Sequence, residues 1–144
     1  MTHNQLELNI DAKLKNLSVI ADFISSSMSQ FGIEADDFEV QTAVDEACTN
    51  IIKYAYSGEG GIITLTCEVR DNDFVVTIRD RGKPFDPSSV PPSDLGADLD
   101  KRRIGGLGIY LMRRLMDDVS YSFDAKKGNT LVMRKTLTGK KQKH

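Results

Sequence analysis

Residues 60–80 read GGIITLTCEVRDNDFVVTIRD, and this stretch decides the fold. The Gly60-Gly61 pair opens a strand over 62–69, Asp71-Asn72-Asp73 supplies turn chemistry, and residues 74–79 alternate back as the hairpin partner. A connection this short joins antiparallel neighbours, because parallel strands need a crossover of about a dozen residues or more. Toward the C-terminus, Val119, Tyr121 and Phe123 start another strand, Lys127-Gly128-Asn129 reads as a hairpin turn, and 130–136 form the last strand. Toward the N-terminus, Leu6, Leu8 and Ile10 alternate with polar residues and predict a strand over 5–11.

Three segments carry helical periodicity instead. Leu17, Ile20, Ala21, Ile24, Met28 and Phe31 recur at three- and four-residue steps within 14–31, and Gly32 ends the pattern. Asp36 with Glu39 resembles a capping box, after which Val40, Val44, Ala47, Ile51 and Ala55 form a stripe that ends near Ser57-Gly58. Ile109, Met112, Leu115, Met116 and Val119 suit a third helix. Before it, residues 80–104 contain all four prolines and little periodicity, the composition of a binding lid. The order β, α, α, β, β, loop, α, β, β predicts an α+β, two-layer sandwich with three helices on one face of a mixed, mostly antiparallel sheet.

A length of 144 residues points to one domain, placed at 1–137, with the basic TGKKQKH of 138–144 as a solvated, disordered tail. Nineteen Lys and Arg against 21 Asp and Glu leave a formal charge of -2, too balanced for a nucleic-acid binder that must neutralise many phosphates. No run approaches the roughly 18 apolar residues of a membrane helix, and MTHNQLELN lacks a signal-peptide core, so a cytoplasmic protein is expected. Cys48 and Cys67 sit in periodic apolar segments and read as buried free thiols. With histidine only at His3 and His144, histidine catalysis and His-based metal sites are disfavoured.

Four segments carry potential chemistry, and each also has an ordinary reading. On the second helix Glu46, Asn50 and Lys53 share a polar stripe beside the buried seam, as any solvated face would. Asp80-Arg81-Gly82-Lys83-Pro84-Phe85-Asp86 follows a strand and either caps its own turn or points a carboxylate into a cavity that glycine lets a flat ligand approach. Gly105-Gly106-Leu107-Gly108 opens the third helix, where unpaired N–H groups and the macrodipole suit an anion; close helix packing would use the same glycines. It is not a Walker loop, since no Gly-Lys-Ser/Thr follows. Gly128-Asn129-Thr130 is alone no more than a hairpin.

Taken in order, VDEACTN, DRGKPFD, GGLGIYLMRRLMDDVSY and GNTLVMRK resemble the four boxes of the GHKL ATPase superfamily and its Bergerat ATP-binding fold, over roughly residues 6–136. Length and motif detail are most similar to bacterial anti-sigma-factor serine kinases of partner-switching systems. The resemblance implies ATP and Mg²⁺ as cofactors, Glu46 as general base and Asn50 as the Mg²⁺ ligand. It further implies that Asp80 accepts the adenine amino proton, Gly82 admits the purine, and Thr130 supports the adenine side. Gly105, Gly106, Leu107 and Gly108 would wrap the phosphates, with Lys53 and Arg103 as further phosphate contacts. Pro84 replaces the second glycine that some relatives carry, and Ile104 stands where some kinases have arginine, with Arg102 and Arg103 just before it. The partners implied are a STAS-like anti-anti-sigma protein, a sigma factor and a second copy of the chain paired through the edge of the first strand. A catalytically weak, ATP-gated binding module is the alternative.

Overall fold

The computed structural model describes residues 5–33, 36–84 and 112–137. Strands β1 (Gln5–Asp11), β2 (Ile62–Arg70), β3 (Asp73–Asp80), β4 (Asp118–Asp124) and β5 (Gly128–Thr136) form one sheet in the order β1-β2-β3-β5-β4. Helices α1 (Leu17–Gln30) and α2 (Asp37–Asn50) accompany it; a 3-10 turn at Leu14–Asn16 precedes α1, and α2 runs on into a π-helical turn at Ile51–Ala55. Residues 112–115 are helical as well. The two-layer α+β architecture is therefore as expected. The sheet differs in one respect: every pairing among the described strands is antiparallel, where a mixed sheet was anticipated.

One face of the sheet carries the core. Ile63, Leu65 and Cys67 of β2, Phe74, Val76 and Ile78 of β3, and Leu131 and Met133 of β5 are buried against Ile20, Ile24 and Met28 of α1 and Val40, Val44 and Ala47 of α2. Met112 and Met116, at the described end of the third helical segment, join the same cluster. Each of the Val, Leu, Ile, Phe and Met side chains among them contributes about 1.5–3 kcal/mol by leaving water. Phe31, just past α1, packs edge-on against Phe74 with ring centroids 6.1 Å apart. Cys48 and Cys67 are buried free thiols; burial pushes the Cys67 thiol up to about 12 and raises Cys48 as well. No helix among the described residues is long and apolar enough to cross a membrane.

Local chemistry departs from the sequence expectation at three places. The Asp36 side chain makes no capping hydrogen bond, and Glu39 instead pairs with Lys135 Nζ at 2.9 Å. The tertiary partner wins because Lys135, on β5, also donates to the Leu115 carbonyl at 2.7 Å and so is already held over the start of α2. Val119 belongs to β4, so the helical periodicity that included it stops earlier. Finally, Gly128 and Asn129 are strand residues: Asp124 pairs with Gly128, which leaves 125–127 as a three-residue turn closed by Lys126 N–H donating to Asp124 Oδ1 at 2.8 Å. Gly128 sits at φ 90°, and a Cβ there would lie 2.4 Å from the Asp80 carbonyl, so only glycine fits. That register places Asn129 directly opposite Asp80.

Candidate functional site

The polar stripe of α2 does not emerge as one solvated face. Asn50, at the last position of α2, is buried, Glu46 one turn earlier is half-buried, and Lys53 is exposed. The π turn explains the split, because a wider turn rotates residue 53 away from where α-helical spacing would put it. Asn50 carries an anomaly: its Nδ2 is buried and has no hydrogen-bond partner among the described residues. A buried amide left unpaired costs about 1–3 kcal/mol, so its presence calls for a ligand or a functional reason.

The end of β3 docks against that turn backbone to backbone. Lys83 N–H donates to the Ala55 carbonyl at 2.7 Å, and a Cβ on Gly82 would fall 2.4 Å from the same oxygen. Arg81 N–H donates to Tyr56 Oη at 2.8 Å, which in turn donates to the Ile62 carbonyl at 2.7 Å, tying the turn to β2. Gly82→Ala is expected to push the segment after β3 away from the π turn at Ala55. Denaturant titration should show a loss of about 1–3 kcal/mol.

Asp80 is the buried carboxylate this docking presents. Its Oδ1 accepts from Gly82 N–H and from Asn129 Nδ2, both at 2.8 Å, while Oδ2 carries no hydrogen bond among the described residues. Burial raises the Asp80 pKa above the usual carboxylate value, and the two donors work against that rise. Glu46 is raised too, first by burial, then by the neighbouring Asp45 charge, with Lys53 opposing. Glu46 is not among the residues that line the hollow beside Asp80; its upward shift gives it the proton affinity a general base needs.

Ala47, Asn50, Ile51, Ala55, Asp80, Met112, Tyr121, Asn129 and Leu131 line one hollow between α2, the ends of β3 and β5, and the helical residues after 111. Asn50, Asp80 and the Gly82 turn thus converge, with Glu46 one turn up the same helix. Thr130 lies outside this lining. Strand alternation puts it on the opposite face, paired with Arg79, while its neighbours Asn129 and Leu131 face the hollow. Asn129 falls in the Gly128-Asn129-Thr130 segment flagged from sequence but neither it nor Tyr121 was given a role there; the alternation of Asn129 with the core residues Leu131 and Met133 was the available signal. Arg103, Gly105, Gly106, Leu107 and Gly108 lie outside the described residues, as do most of the segment read as a lid and the tail from 138.

An unpaired, buried Asn amide beside a hollow suits a hard cation and phosphate oxygens, since its carbonyl oxygen can ligate and its NH₂ can donate. No cluster of three or more His, Cys, Asp or Glu able to hold a metal exists among the described residues, so a cation here would need ligand oxygens from substrate and water. Around Asp80 the lining is mostly apolar with a few polar groups, the composition common to small-molecule sites.

Residues 10–135 match the histidine kinase-like ATPase domain. The chain is similar to the serine-protein kinase RsbW of Listeria monocytogenes, with 34% identity over 144 aligned residues, 96% of this chain and 90% of that protein. The protein of the same name from Bacillus cereus is 32% identical, over 92% of this chain and 85% of its own length. Among solved structures, the crystal structure of the RsbU and RsbW domains of a Mycobacterium tuberculosis protein superimposes with a TM-score of 0.67 at 15% identity, and so shares the fold. The superposition covers 93% of this chain and 32% of that longer one.

Proposed function

The chain belongs to the histidine kinase-like ATPase family, and from that premise we propose its reaction in full. It is a serine/threonine protein kinase that uses ATP with Mg²⁺, acts as an anti-sigma factor, and phosphorylates an anti-anti-sigma protein in a partner-switching pathway. One observation carries this reading: Asn50 and Asp80, whose amide Nδ2 and carboxylate Oδ2 have no hydrogen-bond partner among the described residues, line the same hollow.

Mg²⁺, when bound, would supply charge neutralisation on the phosphates. Asn50, at the end of α2, would hold the metal and donate to a phosphate oxygen. Asp80 accepts the adenine amino hydrogen at the apolar end of the hollow, and the glycine at 82 lets the purine lie close to backbone. Glu46 takes the proton from the acceptor serine hydroxyl as that oxygen bonds to the γ-phosphorus. The bond from the γ-phosphorus to its bridging oxygen breaks, and the electron pair leaves on ADP. Lys53 and Arg103 contact phosphate, and Gly105, Gly106, Leu107 and Gly108 wrap it through backbone N–H groups. Thr130 has no place in this scheme that its position on the far face supports, and Asn129 takes over the adenine side. Phosphorylation adds about -1.5 to -2 charge to the antagonist and weakens its hold on the kinase, which frees the kinase to sequester a sigma factor.

Incubation with γ-labelled ATP, Mg²⁺ and a STAS-like antagonist from the same cell should label a serine of the antagonist, and omission of Mg²⁺ should abolish the label. Failure to bind ATP at millimolar concentration removes the reading.

A further inference from the structure

We propose a second ligand site, separate from the hollow: a cavity of about 430 Å³ beside the end of β3 that binds a small molecule through two or more linked phosphoryl groups. Arg79, Arg81 and Lys127 all line it. They come from three places, the outer face of β3, the segment just after β3, and the turn between β4 and β5. Strand alternation turns Arg79 away from the side that Asp80 presents to the hollow, and Arg79 is exposed where Asp80 is buried. Asp80 is the one lining residue the two spaces share, and its Oδ1 is already taken by the Gly82 N–H and the Asn129 amide.

The cations in this cavity lack the compensation that other cations of the sheet receive. Arg70, Arg134 and Lys135 reach carboxylates at 2.9, 4.0 and 2.9 Å, whereas Arg79, Arg81 and Lys127 have no carboxylate partner among the described residues. Thr64, also in the lining, gives its hydroxyl proton to Asn9 Oδ1 at 2.6 Å and so adds no donor. The frame around the charges is fixed. Arg81 Nη1 donates to the Lys126 carbonyl at 2.7 Å, which ties the segment after β3 to the β4–β5 turn and sets Arg81 beside Lys127. Gly61 lies so close to the Tyr56 ring that a Cβ there would collide with it. Cations held in place before a ligand arrives lose little freedom on capturing it. A carboxylate presents two oxygens in one plane and suits the edge of one guanidinium. A phosphoryl group carries three acceptor oxygens and more charge, so linked phosphoryl groups can meet cations that arrive from three directions. Ile62 and the Tyr56 ring leave part of the wall apolar for the rest of the molecule.

The test is calorimetric titration of the full chain with inorganic pyrophosphate, and with citrate as a polycarboxylate of similar charge, on the parent, Arg79→Gln and Lys127→Gln. The parent is expected to bind pyrophosphate at least about tenfold more tightly than citrate. Arg79→Gln should weaken pyrophosphate at least about tenfold, because it removes a charged donor and keeps a side chain of similar length. A parent that does not bind pyrophosphate at millimolar concentration overturns the proposal. An unchanged affinity in Arg79→Gln also overturns it, since the anion would then sit elsewhere on the chain. Citrate bound as tightly as pyrophosphate overturns the assignment to phosphoryl groups. Should Arg79→Gln fail to fold by circular dichroism, Lys127→Gln decides: weaker pyrophosphate binding supports the site, and unchanged binding overturns it. None of these outcomes depends on whether the hollow takes a nucleotide.

Discussion

Glu46→Gln is expected to bind ATP as the parent does and to transfer phosphate between about 10² and 10⁴ times more slowly. The substitution keeps the shape of the side chain and removes its proton affinity. Glu46 sits one helical turn before Asn50 on α2, half-buried, with its pKa raised chiefly by desolvation. A group so placed acts on the attacking hydroxyl and contributes little to holding the nucleotide, so the loss should fall on kcat and leave the ATP dissociation constant within about twofold. Single-turnover transfer to the antagonist, measured beside ATP titration, separates the two. If ATP binds the parent normally yet neither protein transfers phosphate, the chain is a nucleotide-gated binding module. Ile104, in the place where some kinases carry arginine, points that way.

Asn50→Leu should have two effects of opposite sign. The amide Nδ2 is buried and unpaired, so an apolar side chain of nearly the same size removes a desolvation penalty of about 1–3 kcal/mol. Thermal unfolding of the nucleotide-free variant should therefore move up by several degrees. Mg²⁺-dependent ATP turnover should fall on the order of 10²-fold, because the phosphates and their metal lose the oriented group at the end of α2. An Asn50→Leu protein that is less stable than its parent would mean the amide is satisfied in the free protein, and its part in ligand binding would lose its support. The combination of gain and loss at one residue marks a position kept for function at the expense of the empty fold.

How much of this was legible beforehand depended on the range of the interactions involved. The hairpin of β2 and β3 was readable because its turn and alternation are local, and the apolar stripe of α2 landed wholly in the core. Asp80, Gly82 and Asn50 could be picked out because strand ends, glycine turns and helix faces constrain where a side chain points. Three features needed the tertiary structure. The π turn shifted Lys53 off the stripe it shares on an ideal helix. Lys135, almost a hundred residues away, claimed Glu39 and undid the expected capping box. The hairpin register moved Asn129 from a turn to the floor of the hollow, and displaced Thr130 to the other face, since a one-residue slip exchanges faces.

The pairing of Asp80 with Asn129 joins two strands that are neighbours in the sheet but 49 residues apart in the chain. No contiguous fragment shorter than that span can contain both walls of the cleft. A chain cut between residues 84 and 112 would divide the lining of the hollow between two polypeptides, each carrying an intact hairpin and neither carrying a complete pocket. Such halves would have to find one another before the hollow could form, so complementation of the split protein would itself report that the sheet had closed.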